Sequence, residues 1–348
     1  LLINQQEACE IRDFLTDNIT PNLFSQSFSA LKSSVDDYCQ QAIDVPGQGE
    51  AGGYEHNRHK QNAFFMHHAA RLWLFTEAPI YLNFIKSLLL RYADIYPHLS
   101  LNISKDTNPP GRLFHQTLNE NMWMLYASDA YSCIYHALAE GEKNLIERQI
   151  FRPMLDLFVE MNHEDFDIIH NHGVWSVAAV GMCGYAINDQ SIVDKALYGL
   201  KGDGKAGGFL AQLEQLFSPD GYYMEGPYYH RFAIRPLLLF AEAIERRQPE
   251  IAIYEFKERI IERTCTALIS TLYPDGTFPA FNDASKSMGA SDEGLLITAA
   301  VVFQRFNDND KNNDIALALA QLQKQVYLNH AGLSLSKNLI TQASKREL

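Results

Sequence analysis

The sequence predicts an all-α fold, on three observations. Apolar residues recur at three- and four-residue intervals along most of the chain, the spacing that gives a helix a continuous buried face. The two-residue alternation of a half-buried strand is scarce. The breaks between apolar stretches are short and polar or rich in Gly and Pro, as at Asn108-Pro109-Pro110-Gly111, Ser218-Pro219-Asp220-Gly221 and Tyr273-Pro274-Asp275-Gly276-Thr277.

Taken in order, the periodicity predicts helices over 63–76, 80–96, 118–139, 145–162, 174–187, 208–216, 229–246, 253–273 and 294–306. With such short connections they form antiparallel hairpins. Hairpins that are apolar on more than one face stack into a bundle, a solenoid or a closed toroid, and periodicity does not choose among these. No repeat of fixed length is visible. No linker or charge run divides the 348 residues, so one large domain over 1–348 is expected.

Hydrophobic residues make up 47% and charged residues 20%, enough for a sizeable core. A net charge of -13 excludes nucleic acid as a partner, since phosphate binding needs clustered Lys and Arg. A few local cationic or donor groups in an acidic protein still suffice for a carboxylated ligand. The five Cys residues are scattered, with no metal-ligand spacing, so they are expected as buried thiols. No apolar run is long enough to span a membrane. The first residues lack the charged and apolar regions of a secretion signal, which is expected to have been removed or never present.

Polar clusters at helix junctions carry the chemical information. Gly52–Asn62 is dense in donors and reads equally as a functional cluster and as a solvated loop and cap. In Pro110–Glu120, a helix starting at Arg112 would put His115, Gln116 and Asn119 one turn apart on a common face near Trp123. His170-Asn171-His172 sits between apolar runs, where a core gives three adjacent donors no reason to be; their spacing is not that of a zinc-binding helix. In Ser218–Arg231, Gly226-Pro227 marks a helix start, and Tyr228, Tyr229, His230 and Arg231 fill its first turn.

The strings GGYEHNRHKQN, PPGRLFHQTLNE, IHNHGVWSVAAVGM, ALYGLKGDGKAGGFLAQLEQLFSPDGYYMEGPYYHR and YPDGTFPAFNDA resemble the alginate lyase domain of polysaccharide lyase family 17, in the heparinase II/III-like superfamily. The resemblance runs through nearly all of the chain. It implies an incomplete (α/α) toroid and exolytic β-elimination on alginate oligomers. In full-length members an antiparallel β-sheet domain follows, contributing substrate contacts, another tyrosine and a structural metal. No run of strands is legible before Leu348, so that sheet domain is expected to be absent from this chain, and no cofactor or metal is expected in it. The expected partners are an alginate oligosaccharide and the C-terminal sheet domain of the same protein. The expected location is periplasmic or secreted.

Abstracting H5 of a uronate creates negative charge beside a carboxylate, so donors aimed at that carboxylate stabilise the enolate-like transition state. Asn171 and His172 suit this and match the family's Asn-His pair. From the resemblance Tyr229, two positions before Arg231, is the catalytic tyrosine, tuned by the neighbouring His230 and Arg231. Helix geometry favours Tyr228 as the residue that shares a face with Arg231, so Tyr228 stands as the rival. Tyr228, Arg231, Arg112, Gln116 and Asn119 are the expected substrate-binding residues. A non-catalytic carbohydrate-binding toroid, or a heparinase-like lyase for another uronic-acid glycan, is the competing reading. A glycoside hydrolase, which needs two facing carboxyl groups, would draw on Glu120, Glu225 or Asp283.

Overall fold

The computed structural model of the protein describes residues 1–17, 21–102, 109–281, 284–285 and 289–328; among them there are helices and isolated bridges but no strand. The all-α expectation is borne out. The chain opens with α1 (Gln5–Asp17), α2 (Leu23–Cys39), α3 (Tyr54–Thr76) and α4 (Pro79–Ile95). There follow α5 (Thr117–Ile134) and α6 (Glu140–Ile146), which runs on through wide π-type turns at Glu147–Phe151 and Asp156–Met161. Pro153 lies between those turns, and its missing N–H removes one ordinary helical bond there. Beyond them come α7 (Asn171–Ala186), α8 (Gln190–Tyr198), α9 (Gly208–Gln215) and α10 (Pro227–Arg247). The last helices are α11 (Phe256–Ser270), α12 (Glu293–Arg305) and α13 (Asp310–Gln323).

Every predicted segment falls on helix, while α1, α2, α8 and α13 were not predicted because polar residues dilute their apolar stripes. The donor-rich stretch after Gly53 is not a loop. It forms the first turns of α3, with Asn57, Lys60 and Gln61 exposed and His56, His59 and Asn62 in the core: Asn62 Nδ2 donates to Tyr92 Oη at 2.9 Å, Tyr38 Oη donates to Asn62 Oδ1 at 2.7 Å, and His59 Nδ1 lies 2.8 Å from Tyr92 Oη. The thiols of Cys183 and Cys265 are buried; those of Cys9, Cys39 and Cys133 are half-buried.

The chain separates into two compact units, one of Leu1 with Lys32–Ala211 and one of Leu2–Leu31 with the residues from Gln212 on. In the first, α5 is the central helix, packed against α3 on one side and α7 on the other, while α8 covers α7 and α4 covers α3. Helix α7 is buried along nearly its whole length, as its uniformly apolar sequence requires. Its Gly184 lets α8 approach: a Cβ there would meet the Val193 side chain at 2.8 Å. Helices α3 and α5 are joined by a buried charge cluster in which Arg71 Nη2 donates to Asp129 Oδ2 at 2.7 Å and His67 Nδ1 lies 3.0 Å from the same oxygen. Burial works to raise the Asp129 carboxyl, and the Arg71 charge and the His67 hydrogen bond overcome it, holding it well below the usual range.

In the second unit, α10 packs on α11 and α12, and α12 on α13. Glu242 on α10 is the buried anchor, accepting from Arg305 at 2.8 and 2.9 Å and from Tyr254 Oη. Arg246, one turn on, reaches Glu7 at 2.6 Å and so fixes α1 to α10.

Removing one partner of a buried ion pair strands the other charge. Asp129→Ala is therefore expected to cost about 3–5 kcal/mol of unfolding free energy, measured from urea transitions. A loss below about 1 kcal/mol, the size typical of exposed pairs, would contradict the assignment of the cluster as the α3–α5 tie.

Candidate active site

Helix α7 begins with the three polar residues singled out in the sequence. His170 is its N-cap, extended at φ -168° and ψ 165°, and its Nδ1 accepts from the His172 backbone N–H at 3.3 Å. Accepting at Nδ1 places the imidazole proton on Nε2. The His170 and His172 rings stand edge to face, 4.9 Å between centroids. Asn171 is buried in the first turn, and His172 is half-buried. This turn adjoins a pocket of about 190 Å³. One wall is α5, through Thr117 and Asn121 a turn apart; another is α7, through His172 and Ser176 a turn apart, with His170 at the cap. The segment Phe158–Ile168 closes a third side, with Phe166 buried.

The residues before α5 do not form the expected face. The helix starts at Thr117, so Arg112 and His115 lie on irregular backbone and share no helical face with Asn119. The cause is Glu120. Its fully buried carboxylate accepts from the backbone N–H groups of Arg112 at 2.7 Å and Leu113 at 3.0 Å, from Phe114 more weakly at 3.4 Å, and from Tyr96 Oη at 2.5 Å. Gly111 is required there, since a Cβ would come within 2.2 Å of that carboxylate. Burial raises the Glu120 carboxyl above the usual range, against the pull of Tyr96 and the three amides. With every donor used structurally, Glu120 is no acid for glycoside hydrolysis. Glu225 accepts from Tyr223 Oη at 2.5 Å, and Asp283 lies outside the described residues. Arg112 Nη1 donates to the Leu99 carbonyl at 2.6 Å; Gln116 is the extended N-cap of α5, and Asn119 is buried, but none of these three lines the pocket. Thr117, Asn121 and Ser176 do, and sequence reasoning missed them. The signal available was the match of two i, i+4 polar pairs, Thr117 with Asn121 and His172 with Ser176, on helices that turn out to be neighbours.

In the second unit, Gly226 at φ +89° caps α10 and Pro227 begins it. The Arg231 guanidinium lies 4.3 Å from the centre of the Tyr228 ring and donates through Nη1 to Asp292 Oδ2 at 2.9 Å. Asp292 also caps α12 by accepting from Gly294 N at 2.9 Å. The helix-face argument thus holds for Tyr228. Tyr229 is half-buried, edge to face with Tyr228 at 5.3 Å. His230, expected to supply charge to Tyr229, does not: it is buried, with Nε2 2.7 Å from Thr264 Oγ1, and burial pushes its pKa down to about 3. Arg231 is paired with Asp292.

An alginate lyase family model matches residues 37–275, more than half of the chain. The chain belongs to the alginate lyase family. Among curated members, the exo-oligoalginate lyase of Saccharophagus degradans is 40% identical over 315 residues, 90% of this chain and 42% of that protein. An alginate lyase of Stenotrophomonas maltophilia is 36% identical over 323 residues, covering 92% and 42%. This alginate lyase chain therefore spans under half the length of those curated relatives. Among solved structures, an alginate lyase from Bacteroides ovatus aligns with a TM-score of 0.68 at 11% identity, over 94% of this chain and 98% of that one. Alginate lyase A1-III from Sphingomonas species A1 aligns with a TM-score of 0.59 at 15% identity, over 90% and 91%. At those identities the likeness shows a shared helical fold. Among the described residues, no group of three or more His, Cys, Asp or Glu is arranged to hold a metal, and no helix is long and apolar enough to cross a membrane.

The depressed pKa of His230 fixes a pH dependence. Above pH 6.5 the residue is neutral in both states; between 6.5 and about 3 the unfolded chain binds a proton that the folded chain refuses, so stability falls as pH falls through that window. The slope approaches about 1.4 kcal/mol per pH unit for one proton. His230→Gln, which stays neutral, is expected to flatten the thermal-midpoint profile below pH 6.5. An unchanged profile would show that His230 is not the group responsible.

Proposed function

We propose that this chain is the helical part of a lyase that cleaves alginate oligomers from one end by β-elimination, releasing unsaturated uronate. One geometric observation carries the chemistry: Asn171 and His172 open α7 beside a pocket large enough for a sugar ring. A helix N-terminus carries partial positive charge, and an amide and an imidazole placed there add donors for a carboxylate. The similarity to an exo-oligoalginate lyase supports alginate as the uronate polymer. In the whole protein, a C-terminal sheet domain is the proposed partner of this chain.

The steps balance without a co-reactant. Asn171 and His172 donate to the uronate carboxylate, so that charge developing at C5 spreads into it. A base removes H5, the freed electron pair forms the C4–C5 double bond, and the C4–O4 bond breaks. The leaving O4 takes a proton from an acid. We assign the proton-transfer tyrosine as Tyr229, with Tyr228 held against Arg231 as a binding and packing residue. His230, being neutral, supplies no charge to this segment, and Arg231 is paired with Asp292. The substrate carboxylate, once neutralised, must make H5 acidic enough for the transfer.

The test follows unsaturated uronate by its ultraviolet absorbance, with product sizes read at early times. Asn171→Ala and His172→Ala are each expected to lower kcat by about a hundredfold or more, the loss typical of one transition-state donor. Tyr229→Phe should remove nearly all turnover and leave oligosaccharide binding intact. Tyr228→Phe, which keeps the ring over Arg231, should retain most of it. The reverse outcome for the two tyrosines would move the assignment to Tyr228, and early accumulation of mid-sized oligomers would overturn the exolytic mode.

A further inference from the structure

The pocket beside α7 contains a polar group that the described protein does not satisfy. Asn121 is 4% exposed, its Oδ1 is buried without a hydrogen-bond partner, and it lines the pocket with His170 and His172. A buried carbonyl oxygen without a donor is costly, and native proteins retain one where water or a ligand answers it. The surroundings narrow the choice. Thr117 lies one turn before Asn121 on α5 and Ser176 one turn after His172 on α7, so two hydroxyls, an amide and imidazoles converge on the same space. Leu118 and Phe166 add apolar surface. No Lys or Arg lines the pocket, and its one carboxylate is Asp165, so an anion is disfavoured deep inside. Hydroxyls on an otherwise apolar ring fit this lining. The pocket, of about 190 Å³ and open to solvent, has room for a group the size of a sugar ring.

We infer that this pocket is a subsite for one sugar ring of the substrate, entered by the ring's hydroxyl edge, with Asn121 as the positioning residue that receives a hydroxyl hydrogen on Oδ1. The inference rests on the lyase reading and deepens it. With its hydroxyl edge in the pocket, the ring keeps its carboxylate outside it, at the first turn of α7 where Asn171 and His172 donate to it.

The test replaces Asn121 with leucine, of similar size and without the oxygen, in the full-length protein. For alginate trisaccharide, Asn121→Leu is expected to raise KM about fivefold or more, as loss of one ligand hydrogen bond does, while kcat falls by less than KM rises. The thermal midpoint should hold or rise, because an unanswered buried oxygen has been removed. A folding defect lowers apparent kcat through the amount of active protein and leaves KM alone, so KM decides. A KM changed by less than that overturns the inference and leaves a trapped water as the partner of Oδ1. Calorimetric binding of saturated mannuronate and guluronate trisaccharides separates this from the function itself. If the parent binds them but releases no unsaturated product, the lyase reading fails, and the subsite stands or falls on the affinity of Asn121→Leu. If the parent binds neither trisaccharide, the subsite is overturned.

Discussion

A carboxylate removed from water must be met by donors, and in the first unit that requirement fixes the backbone ahead of α5. Glu120, fully buried, is satisfied by Tyr96 and by backbone amides from Arg112 to Phe114. With three successive amides turned onto a side chain six to eight residues further on, the backbone there is irregular, and α5 begins at Thr117, whose own N–H closes on the Pro109 carbonyl at 2.9 Å. The same constraint ties neighbouring segments in: Asn102 N donates to the Gly111 carbonyl at 2.8 Å, and Arg112 to Leu99. The position of Thr117 at the pocket follows from where Glu120 stops the irregular backbone.

Helix α5 then does different chemistry on each of its faces. Glu120 looks back to the preceding segment, and Trp123 packs beneath Tyr92 at 4.6 Å between centroids. Asp129 takes the Arg71 charge from α3. Thr117 and Asn121 turn toward α7 and the pocket. Helix α7 is buried almost throughout, with its polar side chains at its start and Ser176 one turn beyond His172, and His170 is the N-cap ahead of Asn171 and His172. In the second unit the same logic holds around Glu242, and the tyrosine segment is organised by Arg231, which joins the Tyr228 ring to the cap of α12.

Much of this was legible in the residues. The long apolar helices were, because a buried helix announces itself by periodicity. So was the His170–His172 turn, since three donors between apolar runs have few other uses. The first turns of α3 were not, because His59 and Asn62 form a polar core with Tyr92, and a polar residue in sequence does not reveal whether its partner is water or a buried phenol. The common helical face expected from Arg112 to Asn119 does not form, for a related reason: a buried carboxylate eight positions on draws the Arg112 amide to itself and holds the backbone there off the helix. Neither could the neutral state of His230 be read from its neighbours in sequence, since burial by Tyr223 and Phe217 decides it.

The central claim is that the chemistry built around α7 is elimination and not hydrolysis. Mass spectrometry of the products formed from a saturated alginate trisaccharide by the full-length protein tests it most directly. Elimination moves a proton and breaks C4–O4 without adding anything, so the product masses should sum to that of the substrate, with the double bond in the fragment that carried C5. Products whose masses sum to the substrate plus one water, with no unsaturated fragment, would contradict the account.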